Sequence, residues 1–127
     1  MSYWDDFDIE NHILEILRSV DSQGHHLGRP FLTAYQIAIE FDRRYHDIVT
    51  RLNLPIGGAG VGQRSSLAQY LARELSQRIQ SGEMANVEGG FLSSQHLEDI
   101  SFEGRDRVFH SSLMDSPLGV SIFRLRE

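Results

Sequence analysis

The sequence predicts a single α+β domain, with helices first and a small antiparallel sheet after them. Three observations carry this reading. Apolar residues recur at helical spacing through three separate segments ahead of Gly82, and two of those segments open on a capping-box pattern. Beyond Gly82 the texture changes to short alternating runs broken by glycine turns, which is the pattern of strands. A chain of 127 residues with 40% hydrophobic content can also bury one sizeable core.

Residues 1–7 read as an N-terminal arm. Its Tyr3, Trp4 and Phe7 either staple the first helix to the core or pack on a partner subunit. From Asp8 to Val20, the apolar positions Ile9, Ile13, Ile16, Leu17 and Val20 define one helical face. Asp5, Asp6 and Asp8 crowd its start, where the positive end of the helix dipole favours carboxylates. "DSQGHHLGRP", from Asp21 to Pro30, is rich in turn residues and reads as a loop. The second helix opens at Thr33, with Gln36 in the third position of a capping box. Its apolar face runs Ala34, Ile37, Ala38, Phe41, Tyr45, Ile48, Val49 and Leu52, and a break near Asp42 would divide it in two. The third helix repeats the capping pattern at Ser66 and Gln69. It buries Leu67, Tyr70, Leu71, Leu75 and Ile79 and stops at Gly82. "ANVEGGFLSS" and "EDISFEGRDRVFHSSL" then supply hairpin arms, and "GVSIFRLRE" supplies a final strand. The whole chain, 1–127, reads as one domain: arm 1–7, helical part 8–82, hairpins and final strand 83–127.

Composition excludes several classes of function. Without cysteine, disulfides, thiolate metal sites and cysteine nucleophiles are ruled out. The acidic N-terminus lacks the basic-then-apolar plan of a signal peptide, and no apolar run approaches the roughly 20 residues of a membrane span. A cytoplasmic protein is the expectation. The formal charge of −6 is unevenly spread. Residues 1–21 carry six acids against Arg18 alone, whereas residues 22–82 carry seven arginines against Glu40, Asp42, Asp47 and Glu74. Residues 83–104 hold five acids and no base. The acidic total argues against non-specific coating of DNA, which depends on phosphate attraction, while the basic middle permits a local binding face. All 12 basic residues are arginine. A binding role would not empty every surface of lysine, so this is read as a compositional habit.

Four patterns of possible chemistry were weighed. "IGGAGVGQRSS" imitates a phosphate-binding loop, since Gly57 and Gly62 have the right separation and Ser65 or Ser66 opens a helix. The lysine position is Gln63, however, with Arg64 one residue late, and the upstream "YHDIVTRLNLPI" is helical rather than a buried strand. The stretch reads as a glycine-rich connection between helices. His25 and His26, with His12, Asp8 and Glu15, offer metal-ligand types at no recognised spacing. Asp5, Asp6 and Asp8 have the residue type of paired acid–base carboxylates, but a helix start explains them. His110, Ser111, Ser112 and Asp115 have the residue types of a catalytic triad without a nucleophile elbow. No enzyme activity, cofactor or metal is expected.

In the order of its elements the chain resembles a winged helix-turn-helix domain. "ILEILRSV", "LTAYQIAIEF" and "SSLAQYLARELSQRIQSGE" match the three helices, and "NVEGGFLSS…LEDISFEG" matches the wing. The resemblance implies duplex DNA as partner, with the third helix in the major groove, and a homodimer in a regulatory role. Opposite its apolar face, that helix presents Gln69, Arg73, Ser76, Gln77 and Gln80. Arginine suits guanine and glutamine suits adenine, so Arg73, Gln69 and Gln77 are the candidate base readers. Arg64 and Arg78, with Arg43 and Arg44, are the candidate phosphate contacts. Two features depart from the family pattern. "NLPIGGAGVGQRS" replaces a tight turn before the third helix, and the wing carries Glu83, Glu88, Glu98, Asp99 and Glu103. The alternative reading is a non-catalytic interaction module, touching protein through its acidic wing or its aromatic arm. An uncovered edge on the final strand would invite a second copy.

Overall fold

Chain order begins with a single helical turn. Helix α1 (Tyr3–Asp6) is capped by Ser2, whose hydroxyl accepts the Asp5 N–H at 3.4 Å. The computed structural model describes residues 2–57, 66–93, 95–97, 100–104, 108–110 and 120–126. Asp8, at a left-handed φ of 52°, turns the chain into helix α2 (Ile9–Arg18). Helix α2 ends two residues before the expected Val20, and within the N-terminal arm Tyr3–Asp6 are helical. Trp4 is only 2% exposed and belongs to the core, so the stapling alternative describes this residue.

Strand β1 (Leu32–Thr33) leads directly into helix α3 (Ala34–Arg44). The expected capping box at Thr33 forms completely: Thr33 Oγ1 accepts the Gln36 N–H at 3.1 Å, and Gln36 Oε1 accepts the Thr33 N–H at 2.8 Å. The second helical stretch divides, as the break near Asp42 allows, at Tyr45, giving helix α4 (His46–Leu52). Asp42 remains inside α3 because its carboxylate is satisfied there by His46, at 2.8 Å. Helix α5 (Leu67–Ser81) ends on Gly82 in the left-handed conformation at φ 88°, as a glycine stop requires.

Strand pairing differs from the sequence reading. Strand β2 (Val87–Leu92) does not pair with residues 100–104 among the described residues. It pairs antiparallel with the C-terminal strand β5 (Val120–Leu125), from Val87 opposite Leu125 to Leu92 opposite Val120. Strands β3 (Ser101–Glu103) and β4 (Val108–His110) form a separate hairpin within the β2–β5 connection. The three-stranded sheet has the order β1-β5-β2. The final strand is thus central, paired with β1 at Ile122 and Phe123 on one side and with β2 from Val120 to Leu125 on the other. Val120, Phe123 and Leu125 of this central strand are all buried.

One core joins these elements. Ile13, Ile16 and Leu17 of α2 meet Tyr35, Ile37 and Phe41 of α3, Leu67, Leu71 and Leu75 of α5, and Phe123 of β5. The small hairpin docks through one cross-strand pair, Phe102 and Phe109, and Phe102 stacks on Tyr35 at 5.0 Å. Gly57 closes the packing around that tyrosine. At its φ of 144° a Cβ would lie 2.9 Å from Tyr35 Cε1, so only glycine fits. Arg124 ties the loop of residues 21–31 to the sheet. It bonds Glu88 at 2.6 Å, donates to the Leu27 and Arg29 carbonyls, and lies over the Phe31 ring at 4.2 Å.

Candidate nucleic-acid interface

Helix α5 is positioned from its first turn. Ser66 Oγ accepts the Gln69 N–H at 3.1 Å, and the Leu67 and Ala68 amides donate to the Pro55 and Ile56 carbonyls at 2.7 and 2.9 Å. These bonds satisfy amides that a helix start leaves without partners. Leu67, Ala68, Leu71 and Leu75 are buried, while Tyr70 and Ile79 lie half-buried at the margin. The opposite face, at Arg73, Ser76, Gln77 and Gln80, is exposed.

The candidate residues separate into distinct environments. Arg73 is exposed, with its guanidinium 6.0 Å from the Tyr70 ring centroid, and it has no acidic partner among the described residues. Gln77 shares this open face. Gln69 does not. The helix is rotated so that Ala68 is buried, which leaves the neighbouring Gln69 half-buried. Its Oε1 is buried and without a hydrogen-bond partner among the described residues, so only the Ser66 half of the second capping box forms.

Arg78 is held by two acids and a ring, with its Nε buried and without a hydrogen-bond partner among the described residues. It bonds Glu74 at 3.0 Å and Glu83 at 2.5 Å, and its guanidinium lies 4.4 Å over the Trp4 ring. In the structure this candidate phosphate contact is thus paired within the fold, unlike Arg73. Arg43 and Arg44 converge on Glu40, at 2.5 and 2.6 Å, and Arg44 also donates to Ser19 Oγ at the end of α2. Arg43 beside Glu40, seconded by Arg44, outweighs the burial of that carboxyl and lowers its pKa to about 2. Tyr70 shifts the other way: burial, reinforced by Glu74, raises its hydroxyl to about 12. Arg64 lies outside the described residues.

Two of the acids in the segment after α5 are paired. Glu83 faces Arg78, and Glu88 faces Arg124 at 2.6 Å and Arg126 at 3.8 Å. Glu103 is exposed on β3, while Glu98 and Asp99 lie outside the described residues. The histidines are placed by packing. His12 stacks on Tyr45 at 4.0 Å, His25 stacks on His26 at 4.6 Å, and His25 Nδ1 accepts the Leu27 N–H at 3.0 Å. Among the described residues no cluster of three His, Asp or Glu is arranged to hold a metal ion. Among them, too, no helix is long and apolar enough to cross a membrane. Of the triad-like set, His110 lies on β4, and Ser111, Ser112 and Asp115 lie outside the described residues.

Sequence reasoning missed three features. The contact of Trp4 with Arg78 joins residues far apart in the chain and leaves no local signal. Strand β1 is too short to show alternation. The Asp42–His46 pair was visible as an i, i+4 spacing, but nothing local said that the aspartate would be buried. In comparisons with known proteins, no family model, curated sequence or solved structure matches the chain.

Proposed function

We propose that this protein is a small DNA-binding regulator that reads duplex DNA with helix α5 in a winged-helix arrangement. The observation that carries the reading is the outward face of α5, where Arg73 and Gln77 stand exposed among Ser76 and Gln80 with no acidic partner for the arginine among the described residues. Side chains of these types can hydrogen-bond base edges in a major groove. The element order supports it: helix, short strand, helices, helix, then a strand that pairs with the last strand of the chain. In this reading the β2–β5 connection is the wing, and it is elaborated by the β3–β4 hairpin. The ion pairs of Glu83 and Glu88 reduce the repulsion that a bare acidic wing would exert on phosphate.

Selection from a random duplex pool at near-physiological salt tests the proposal. An enriched palindromic motif supports a dimeric reader, and Arg73→Ala should then relax preference at one position of each half-site, at a cost of about 1–3 kcal/mol. A folded protein that enriches no motif overturns it. The second reading, a protein-interaction or self-association module, draws on β2. Phe91 and Leu92 are 59% and 38% exposed there, and β5 is the one strand that β2 pairs with among the described residues. A concentration-dependent dimer abolished by Phe91→Lys, together with no enriched DNA, would favour that reading.

A further inference from the structure

Strand β2 carries a raised ring and a low apolar floor on the same face, two residues apart. Side chains alternate along a strand, so Val87, Gly89 and Phe91 share one side of β2. Across the sheet they stand opposite Leu125, Phe123 and Ser121. Val87, Phe123 and Leu125 are buried, whereas Phe91 is 59% exposed. Gly89 lies between these two environments. A Cβ there would meet Ile79 Cδ1 at 3.2 Å and the Phe123 ring at 3.4 Å. The glycine therefore lets both side chains close in, and the surface stays low beside the standing Phe91. The result is a groove of about 390 Å³, lined by Gly89, Phe123 and Phe91 of the sheet and by Ile79, Ser76 and Gln80 of α5.

The strand beside this groove is suited to pairing. Gly89 and Gly90 are both exposed, and a glycine exposes only its backbone. β5 is the one strand that β2 pairs with among the described residues. Strands that must stay unpaired are guarded by charge or proline, and from Gly89 to Leu92 this one carries neither.

A second copy of β2 fits both features. A two-fold axis normal to the sheet runs the copies antiparallel and keeps equivalent residues on one face. Each register is then defined by the residue that meets its own counterpart. Centred on Gly89, floor meets floor. Centred on Phe91, ring meets ring. Centred on Gly90, Phe91 of each copy stands directly opposite Gly89 of the other, on the same face. An aromatic side chain laid across a glycine of the neighbouring strand covers the apolar surface that the glycine leaves bare. The same register sets Glu88 opposite Leu92, so the single charge of each strand does not face its like.

We infer that two copies of this chain pair through β2, antiparallel and centred on Gly90, with each Phe91 seated in the groove beside the other copy's Gly89. The groove is completed by a ring that one chain alone does not supply. This inference rests on the self-association reading of β2, to which it gives a partner and a register. It neither needs nor excludes DNA reading by α5.

The chain has no cysteine, so single thiols read out the register directly. Gly90→Cys is accommodated, since a Cβ there meets Ile122 at an ordinary 3.7 Å and the backbone is not left-handed. In the inferred pairing two such thiols stand opposite each other, within the span of a disulfide. Mild oxidation of the full chain should therefore convert Gly90→Cys to a covalent dimer. Leu92→Cys should stay uncoupled, because its own counterpart lies four residues along, roughly 13 Å away. In sedimentation equilibrium the native chain should dimerise. Phe91→Ala, at an exposed position, should weaken the dimer roughly tenfold or more. A chain that stays monomeric at near-millimolar concentration overturns the pairing and the self-association reading together. A dimer that Gly90→Cys does not cross-link in preference to Leu92→Cys, or that Phe91→Ala leaves unchanged, overturns this register and leaves self-association through another surface standing.

Discussion

Arg73 and Arg78 stand on the same helix and do opposite things. Arg78 turns toward the body of the protein, lies over Trp4 and holds Glu74 and Glu83, whereas Arg73 turns outward and has no acidic partner among the described residues. The difference lies in what the neighbouring elements put within reach. The turn after Gly82 returns Glu83 to Arg78, α1 brings Trp4 beneath it, and the helix itself supplies Glu74 one turn away. On the outward face those neighbours are serine and glutamine. A cation held in ion pairs within the fold contributes to folding, and one without an acidic partner at the surface is available to a ligand. Two arginines of equal intrinsic chemistry are divided by rotation about one helix axis.

The largest break of this comparison removes the platform beneath Arg78. Trp4→Ala should cost about 3–5 kcal/mol, since it empties a buried aromatic position and lowers the melting temperature by roughly 10 °C or more. Thermal unfolding followed by circular dichroism reads this directly, and a loss below about 1 kcal/mol would mean that α1 is not anchored as described.

A smaller break removes the guanidinium itself. Arg78→Ala leaves Glu74, whose side chain is 19% exposed, without its partner, and stability should fall by about 2 kcal/mol in urea unfolding. Arg73→Ala should change stability by no more than about 0.5 kcal/mol in the same assay, because its side chain faces solvent. If the two variants lose stability equally, the division between a structural and an available arginine fails.

The smallest effect concerns the other candidate arginines, Arg43 and Arg44. Glu40, with its carboxyl lowered to about 2 chiefly by Arg43, contributes stability that is complete above its unfolded value near 4.5 and is lost as pH falls through about 2. Urea midpoints measured across that interval should decline more steeply for the native chain than for Glu40→Gln. Identical slopes would place Arg43 and Arg44 among the available cations after all.

Much of the helical part was legible because its determinants are local. Apolar spacing in α2, α3 and α5, the Thr33 capping box and the Gly82 stop each depend on residues within a few positions of one another, and each appears as read. The outward placement of Arg73 and Gln77 follows from the same periodicity. Gln69 departs from it because the precise rotation of α5 is set by what packs against Ala68, and sequence spacing does not specify that rotation. The sheet was legible in its strands but not in its pairing. Alternation in "VEGGFL" and "VSIFRL" says that each is a strand, and it says nothing about which strand lies beside which.

What the sequence determined by itself, then, is the kind and order of the elements, since hydrophobic period, caps and stops act over a few residues. What only the tertiary structure decided is the central position of β5, the capture of Arg78 by Trp4 and Glu83, and the burial of Asp42 against His46. Each of these depends on surfaces being removed from water together. Burial is a property of the assembled elements, and no short window of residues carries it.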